Sequence, residues 1–240
     1  MSRRVLTTAI ATIAAITIAL PGLLAAATPA AASLLGPAMP TAKVKCVGKA
    51  SGFARYATNG MCKRTERIDR KPCANGGSCV VGDVGPAGGR VFYSARTKQA
   101  WGRYLEVAPR AWNPANPDAL LTWCSNVTDS LAGTQATGLG AGRANTAAMA
   151  AACGPDTAAV VAAAYRGGGK SDWYLPSKDE LRALFLRQRL SPPFELRGYW
   201  SSSEATPREA WIQDFYAAGD YPPAPSDKSL FNCVRPIRAF

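Results

Sequence analysis

The feature that most limits how this chain can fold is the placement of its cysteines. Cys46, Cys62, Cys73, Cys79, Cys124, Cys153 and Cys233 all follow an apolar N-terminal segment, and the first four crowd together before residue 80. Arg3 and Arg4 precede an uncharged apolar run from Val5 to Leu20, Pro21-Gly22 breaks it, and Ala30-Ala31-Ala32 offers a small-residue cleavage site. This pattern predicts a signal peptide over residues 1–32 and a secreted, extracellular or envelope-associated product. The apolar run is shorter than the ~20 residues a spanning helix needs, and no later stretch is long and apolar enough, so no transmembrane segment is expected after cleavage. In an oxidising compartment the cysteines are expected as disulfides. Seven is an odd number, so at least one thiol stays free or pairs between chains.

Charge narrows the reading. The formal net charge is +12. Lys43, Lys45, Lys49, Arg55, Lys63, Arg64, Arg67, Arg70 and Lys71 face only Glu66 and Asp69 within residues 33–80, a net of 9 − 2 = +7. Residues 81–240 hold 17 cations against 14 carboxylates, a net of +3. The nine cations of the N-terminal third are therefore the candidate ligand contacts. On an exported chain they point to an anionic extracellular glycan or a surface protein rather than to nucleic acid. The chain contains no histidine, which removes Ser-His-Asp and Cys-His nucleophile systems and histidine-ligated zinc. No catalytic residue, metal site or cofactor is expected.

The organisation follows from the breakers. Residues 33–42 read as a linker, and 43–80 as a basic segment too small to bury much core, held by disulfides. Cys73-Ala-Asn-Gly-Gly-Ser-Cys79 opens like an EGF module, but the further cysteines do not follow, so it is expected as a disulfide-closed turn. Residues 81–240 form the main domain. Strands are expected at Arg90–Ser94, Tyr104–Ala108, Tyr199–Glu204, Ala210–Phe215 and Cys233–Phe240. Helices are expected from Asn145 to Cys153, from a cap at Asp156 to Tyr165, and from the capping box Ser177-Lys-Asp-Glu180 to about Arg189. Residues 109–143 and 217–229 read as loops, with Cys124 a candidate tie for the first. This order describes an α+β domain, not a doubly wound sheet.

Several motifs carry no chemistry. Gly169-Lys170-Ser171 lacks the leading glycine of a phosphate loop, since Ala164 occupies that position, and Gly138-Leu-Gly-Ala-Gly142 lacks the context of a dinucleotide fingerprint. Ser201-Ser202-Ser203 has no histidine to serve as base. Asn126-Val-Thr128 fits a glycosylation acceptor.

Six segments occur in a recognisable order: Gly82–Tyr93, Tyr104–Pro109, Gly140–Thr146, Asp172–Leu181, Tyr199–Glu204 and Val234–Phe240. Together they resemble the Lcl C-terminal domain family, a bacterial branch of the C-type-lectin-like fold, over residues 81 to 240. The resemblance implies a non-catalytic, adhesin-type binding domain. A relative at the tip of a collagen-like adhesin engages sulfated glycosaminoglycans, but this chain has no collagen repeat and lacks the calcium-lectin sugar motifs. The motif residues have structural readings: Trp173, Tyr174, Tyr199, Trp200, Trp211 and Phe240 as an aromatic core, Asp172 and Ser177 as turn formers, Arg235 and Arg238 alternating on the last strand. Two other functions compete. One is an exported enzyme of the formylglycine-generating-oxidase branch of the fold, for which Cys124, Cys153 and Cys233 are the candidate thiols. The other is a structural envelope protein without a sugar ligand.

Overall fold

The computed structural model describes the strands Val44–Gly48, Ala54–Ala57 and Glu66–Ile68 as backbone, then 73–75 and 77–240 without residues 116, 191–192 and 217–218. The expected signal peptide and linker, and Lys43, Lys49, Cys62, Lys63, Arg64, Arg70 and Lys71, lie outside the described residues. The first three strands are β1 (Val44–Gly48), β2 (Ala54–Ala57) and β3 (Glu66–Ile68), paired antiparallel in the order β2-β1-β3. The basic segment is thus not only a disulfide-held coil but a small sheet. Strands of only three to five residues leave too little alternation to be read in advance.

The main domain continues with β4 (Arg90–Gln99), β5 (Gly102–Val107) and β6 (Leu120–Leu121), then α1 (Gly142–Ala152), α2 (Ala158–Ala164) and α3 (Lys178–Phe185). It closes with β7 (Gly198–Glu204), β8 (Glu209–Asp214), β9 (Ala224–Asp227), β10 (Asn232–Cys233) and β11 (Ile237–Ala239). One sheet has the order β6-β10-β7-β8-β9 and another the order β11-β5-β4. Only β10–β7 is parallel. The domain is therefore α+β, with mixed and antiparallel sheets. No helix among the described residues is long and apolar enough to cross a membrane.

Four expectations change. The single strand over Cys233–Phe240 is two, because Val234-Arg-Pro236 steps from one sheet to the other: Val234 N–H donates to Ala119 O in one, while Pro236 O accepts from Ala108 N in the other. The loop over 217–229 contains β9, whose Ala224-Pro-Ser-Asp227 pairs with Glu209–Ile212 as an edge strand, a sheet position that tolerates proline. The cap of α2 is Thr157 in place of Asp156, and no side chain caps that helix; Thr157 Oγ1 donates back to Gly154 O at 2.7 Å. The Ser177 capping box forms as expected, with Ser177 Oγ accepting from Glu180 N and Glu180 reaching Ser177 N at 2.8 Å. Its helix stops at Phe185, and a separate 3-10 turn covers Gln188–Leu190.

Two cores result. Trp112, Trp123, Met149, Trp173, Trp200 and the alanines of α2 pack between α1, α2 and the five-stranded sheet. Phe92, Leu105, Tyr174, Leu184, Tyr199 and Phe215 pack under α3 and the three-stranded sheet. Trp123 and Trp200 are fully buried, each donating its indole N–H to a backbone oxygen at 2.8 Å (Ser201 O and Leu121 O). Trp211 and Phe240, expected in the core, sit only half-buried at its rim. The loop over 109–143 supplies Trp112 and Trp123 instead. It is tied by the disulfide Cys124–Cys153, and Cys73–Cys79 closes the turn expected for it.

Candidate functional site

Three buried ion clusters set the frame on which surface groups are displayed. Arg235 binds Asp118 through two N–H groups, at 2.5 Å and 2.6 Å, and Tyr199 donates its hydroxyl to the same carboxylate at 2.7 Å. Lys228 is fully buried: its ammonium donates to Glu204 at 2.5 Å and to the carbonyls of Asp129 and Pro207. Burial works against the Glu204 charge, but Lys228, Ser130, Leu131 N–H and Gln135 outweigh it and hold its carboxyl below the ordinary value. Arg238 bridges Glu106 at 2.8 Å and Asp172 at 2.5 Å.

Two of the glycine-rich motifs wrap carboxylates. Burial pushes Glu106 up, partly offset by Arg238 and by the N–H groups of Ala87 and Gly89. A Cβ at Gly85 would lie 2.2 Å from its Oε2, so glycine there lets the carboxylate seat against the turn. Glu180 is likewise raised by burial and accepts from Gly140 N at 2.9 Å and from Tyr174 Oη at 3.1 Å. Ser177 takes the capping position assigned to it, whereas Asp172, expected to fix a turn, instead accepts from Arg238 Nε at 2.5 Å. The serine run of β7 is wholly buried; Ser203 Oγ donates to Ala136 O at 2.7 Å and accepts from Lys178 N.

With these charges paired inside, the exposed surface of β4 and β5 stands out. Residues 84–105 contain Arg90, Arg96, Lys98 and Arg103 and no carboxylate. Arg96, Lys98 and Arg103 are exposed, and no carboxylate among the described residues reaches ion-pair distance of them. Arg96 and Lys98 lie two residues apart on the exposed end of β4. Arg103 donates Nε–H to Ala95 O at 3.3 Å and lies 5.5 Å from the Tyr104 ring centre. Lys98, Arg103, Tyr104 and Phe240 line a cleft of about 390 Å³ whose edge includes the Cys73 disulfide. Net charge by segment hides these three cations, because the main domain is nearly balanced as a whole; the run without carboxylates from 84 to 105 is the signal that marks them.

On another side of the hairpin lies a second cleft, of about 650 Å³, whose floor is the start of α1. Gly140, at φ +89°, brings backbone so close to Trp101 that a Cβ there would fall 2.0 Å from the indole Cδ1. Ala144 and Ala147 are exposed to the cleft, and Arg143 is its one charged side chain.

Of the ligand contacts expected in the basic segment, the structure gives backbone pairing alone: Lys45 stands opposite Tyr56, Arg55 opposite Cys46 and Arg67 opposite Val47. Cys124 and Cys153 are bridged, leaving Cys233 free among the described residues. Its thiol is buried, and burial, with Asp118 nearby, pushes it up to about 12. A thiol in that state is a poor nucleophile. Among the described residues no group of three or more His, Cys, Asp or Glu side chains could hold a metal ion. No model of a known protein family matches the chain, and no curated protein matches it either.

Proposed function

We propose that the chain is an exported, non-catalytic binding protein of C-type-lectin-like architecture that holds an anionic glycan. Support for the architecture comes from the short strands in two sheets, three short helices and long loops tied by the Cys124–Cys153 disulfide. The observation that carries the function is the exposed group Arg96, Lys98 and Arg103 within the carboxylate-free run 84–105, of which Lys98 and Arg103 line the Tyr104–Phe240 cleft. Unpaired cations next to aromatic faces fit a sulfated or uronate sugar: the cations meet the anions, and the rings meet the apolar face of the sugar. The basic segment with Lys45, Arg55 and Arg67 adds positive field for an extended polymer.

The test is calorimetric titration with a heparin-like polymer and with neutral dextran. The polymer is expected to bind at low salt, to weaken steeply toward about 0.15 M salt, where the Debye length is about 8 Å, and dextran is expected not to bind. Replacing Arg96, Lys98 and Arg103 together with glutamine should weaken polymer binding by more than about tenfold. Affinity that ignores both salt and this triple substitution overturns the reading. Capture of an envelope protein with no glycan bound would favour the structural alternative.

A further inference from the structure

We propose that the cleft between Trp101 and α1 is a second, separate site for a small aromatic carboxylate. Its volume of about 650 Å³ lies inside the range of small-ligand pockets. Its walls are apolar: the partly exposed Trp101 and Leu139, the ring of Tyr174, and the methyl groups of Ala144 and Ala147. Against these stands one charge. Arg143 lies with its guanidinium 5.5 Å from the Tyr174 ring centre and donates Nη2–H to Ala239 O at 3.3 Å.

Arg143 has capacity to spare. The nearest carboxylate, Asp172, is 3.8 Å away and already accepts from Arg238 Nε at 2.5 Å. A guanidinium carries five N–H donors, and among the described residues Arg143 makes no other hydrogen bond. No carboxylate lines the cleft. A saccharide would need many polar partners here and finds almost none. A flat apolar body carrying a single carboxylate matches both features: rings against Trp101 and the alanines, and a forked pair of N–H bonds from Arg143 to the head group. The small side chains at 144 and 147 make the space, since no larger group could sit there without filling it.

Binding is read by calorimetry on the full chain with 2-naphthoate, and with neutral 2-naphthol as its uncharged counterpart. One naphthoate per chain is expected to bind, and naphthol at least about tenfold more weakly, the loss of a charge-assisted pair. Arg143→Leu should weaken naphthoate by a similar factor without weakening naphthol. Ala144→Phe, a change at an exposed position, should abolish binding of both while melting temperature and heparin-like polymer binding stay unchanged. The proposal is overturned if naphthoate fails to bind the wild-type chain, if naphthol binds as tightly, or if Ala144→Phe binds naphthoate normally. Because polymer binding is followed in parallel, failure here leaves the polyanion reading separately testable.

Discussion

The cations of the main domain behave differently in two regions. In the interior, Lys228, Arg235 and Arg238 each meet a carboxylate and at least one further acceptor. On the β4–β5 hairpin, Arg96, Lys98 and Arg103 have no carboxylate partner among the described residues. The interior cations join segments far apart in sequence, so their work is to hold loops and strand ends together. Among the described residues the hairpin cations meet no carboxylate, Arg103 reaching only Ala95 O and the Tyr104 ring within the hairpin itself, and they leave their field open to a ligand. Net charge cannot separate these classes; partnership can.

The sharpest way to test the interior half of this contrast is Asp118→Ala. It removes both the acceptor of Arg235 and that of Tyr199 in a fully buried setting, and leaves an uncompensated guanidinium. The expected loss is about 3–5 kcal/mol in urea unfolding. Adding Arg235→Met should recover part of it, because an apolar pair carries no stranded charge. Equal loss in single and double variants would mean that packing, not charge pairing, dominates there.

A covalent tie works on the same long loop. Replacing Cys124 and Cys153 together with alanine opens a loop with a sequence separation of 29, and the chain-entropy relation gives a loss of about 3.5 kcal/mol. The measurement is a denaturation curve under non-reducing conditions. Comparing it with the Asp118 series separates loop closure from ion pairing.

Lys228→Met comes next, at about 3 kcal/mol, the low end for breaking a buried pair. Glu204 would still accept from Ser130 Oγ, Leu131 N–H and Gln135 Nε2. The pH dependence identifies the pair. The folded-state pKa of Glu204 is lowered from 4.5, so its stabilisation is present above that value and is lost as pH falls through the lower folded-state value. The gap between wild type and Lys228→Met should therefore narrow below about pH 4.5. A gap that stays constant down to pH 3 would assign the loss to the contact between Lys228, whose ammonium lies 4.8 Å from the Trp123 ring centre, and that ring.

How much of this could be read in advance follows the range of the interactions. The capping box at Ser177, the strand Tyr199–Glu204 and the closed turn Cys73–Cys79 rest on neighbours within a few residues, and each forms as expected. The partners Arg235 and Asp118 are 117 residues apart, and no local pattern links them. The same holds for Trp112 and Trp123, which look like loop residues until α2 and β7 close over them. Strands of two residues, such as β6 and β10, exist because a neighbouring strand is there to pair with, so neither carries a periodicity of its own. For the site, residues 43–71 drew attention by cation density, while the hairpin needed a search for absent carboxylates. The Arg143 cleft needed the structure, since exposed alanines look like ordinary helix formers until nothing packs on them.

The hairpin supplies the smallest stability effect and the test of the other half of the contrast. Replacing Arg96, Lys98 and Arg103 with glutamine breaks no buried pair and empties no core position, so unfolding free energy should change by less than about 0.5 kcal/mol. Arg96 and Lys98 are like charges two residues apart on the exposed end of β4, so removing their repulsion should make any change a slight stabilisation at low salt. It should fade near 1 M salt, where the Debye length is about 3 Å. Thermal melts at the two salt concentrations read this directly. A loss as large as that of Lys228→Met would mean that these cations also have structural partners, and the division between interior and hairpin charge would fail.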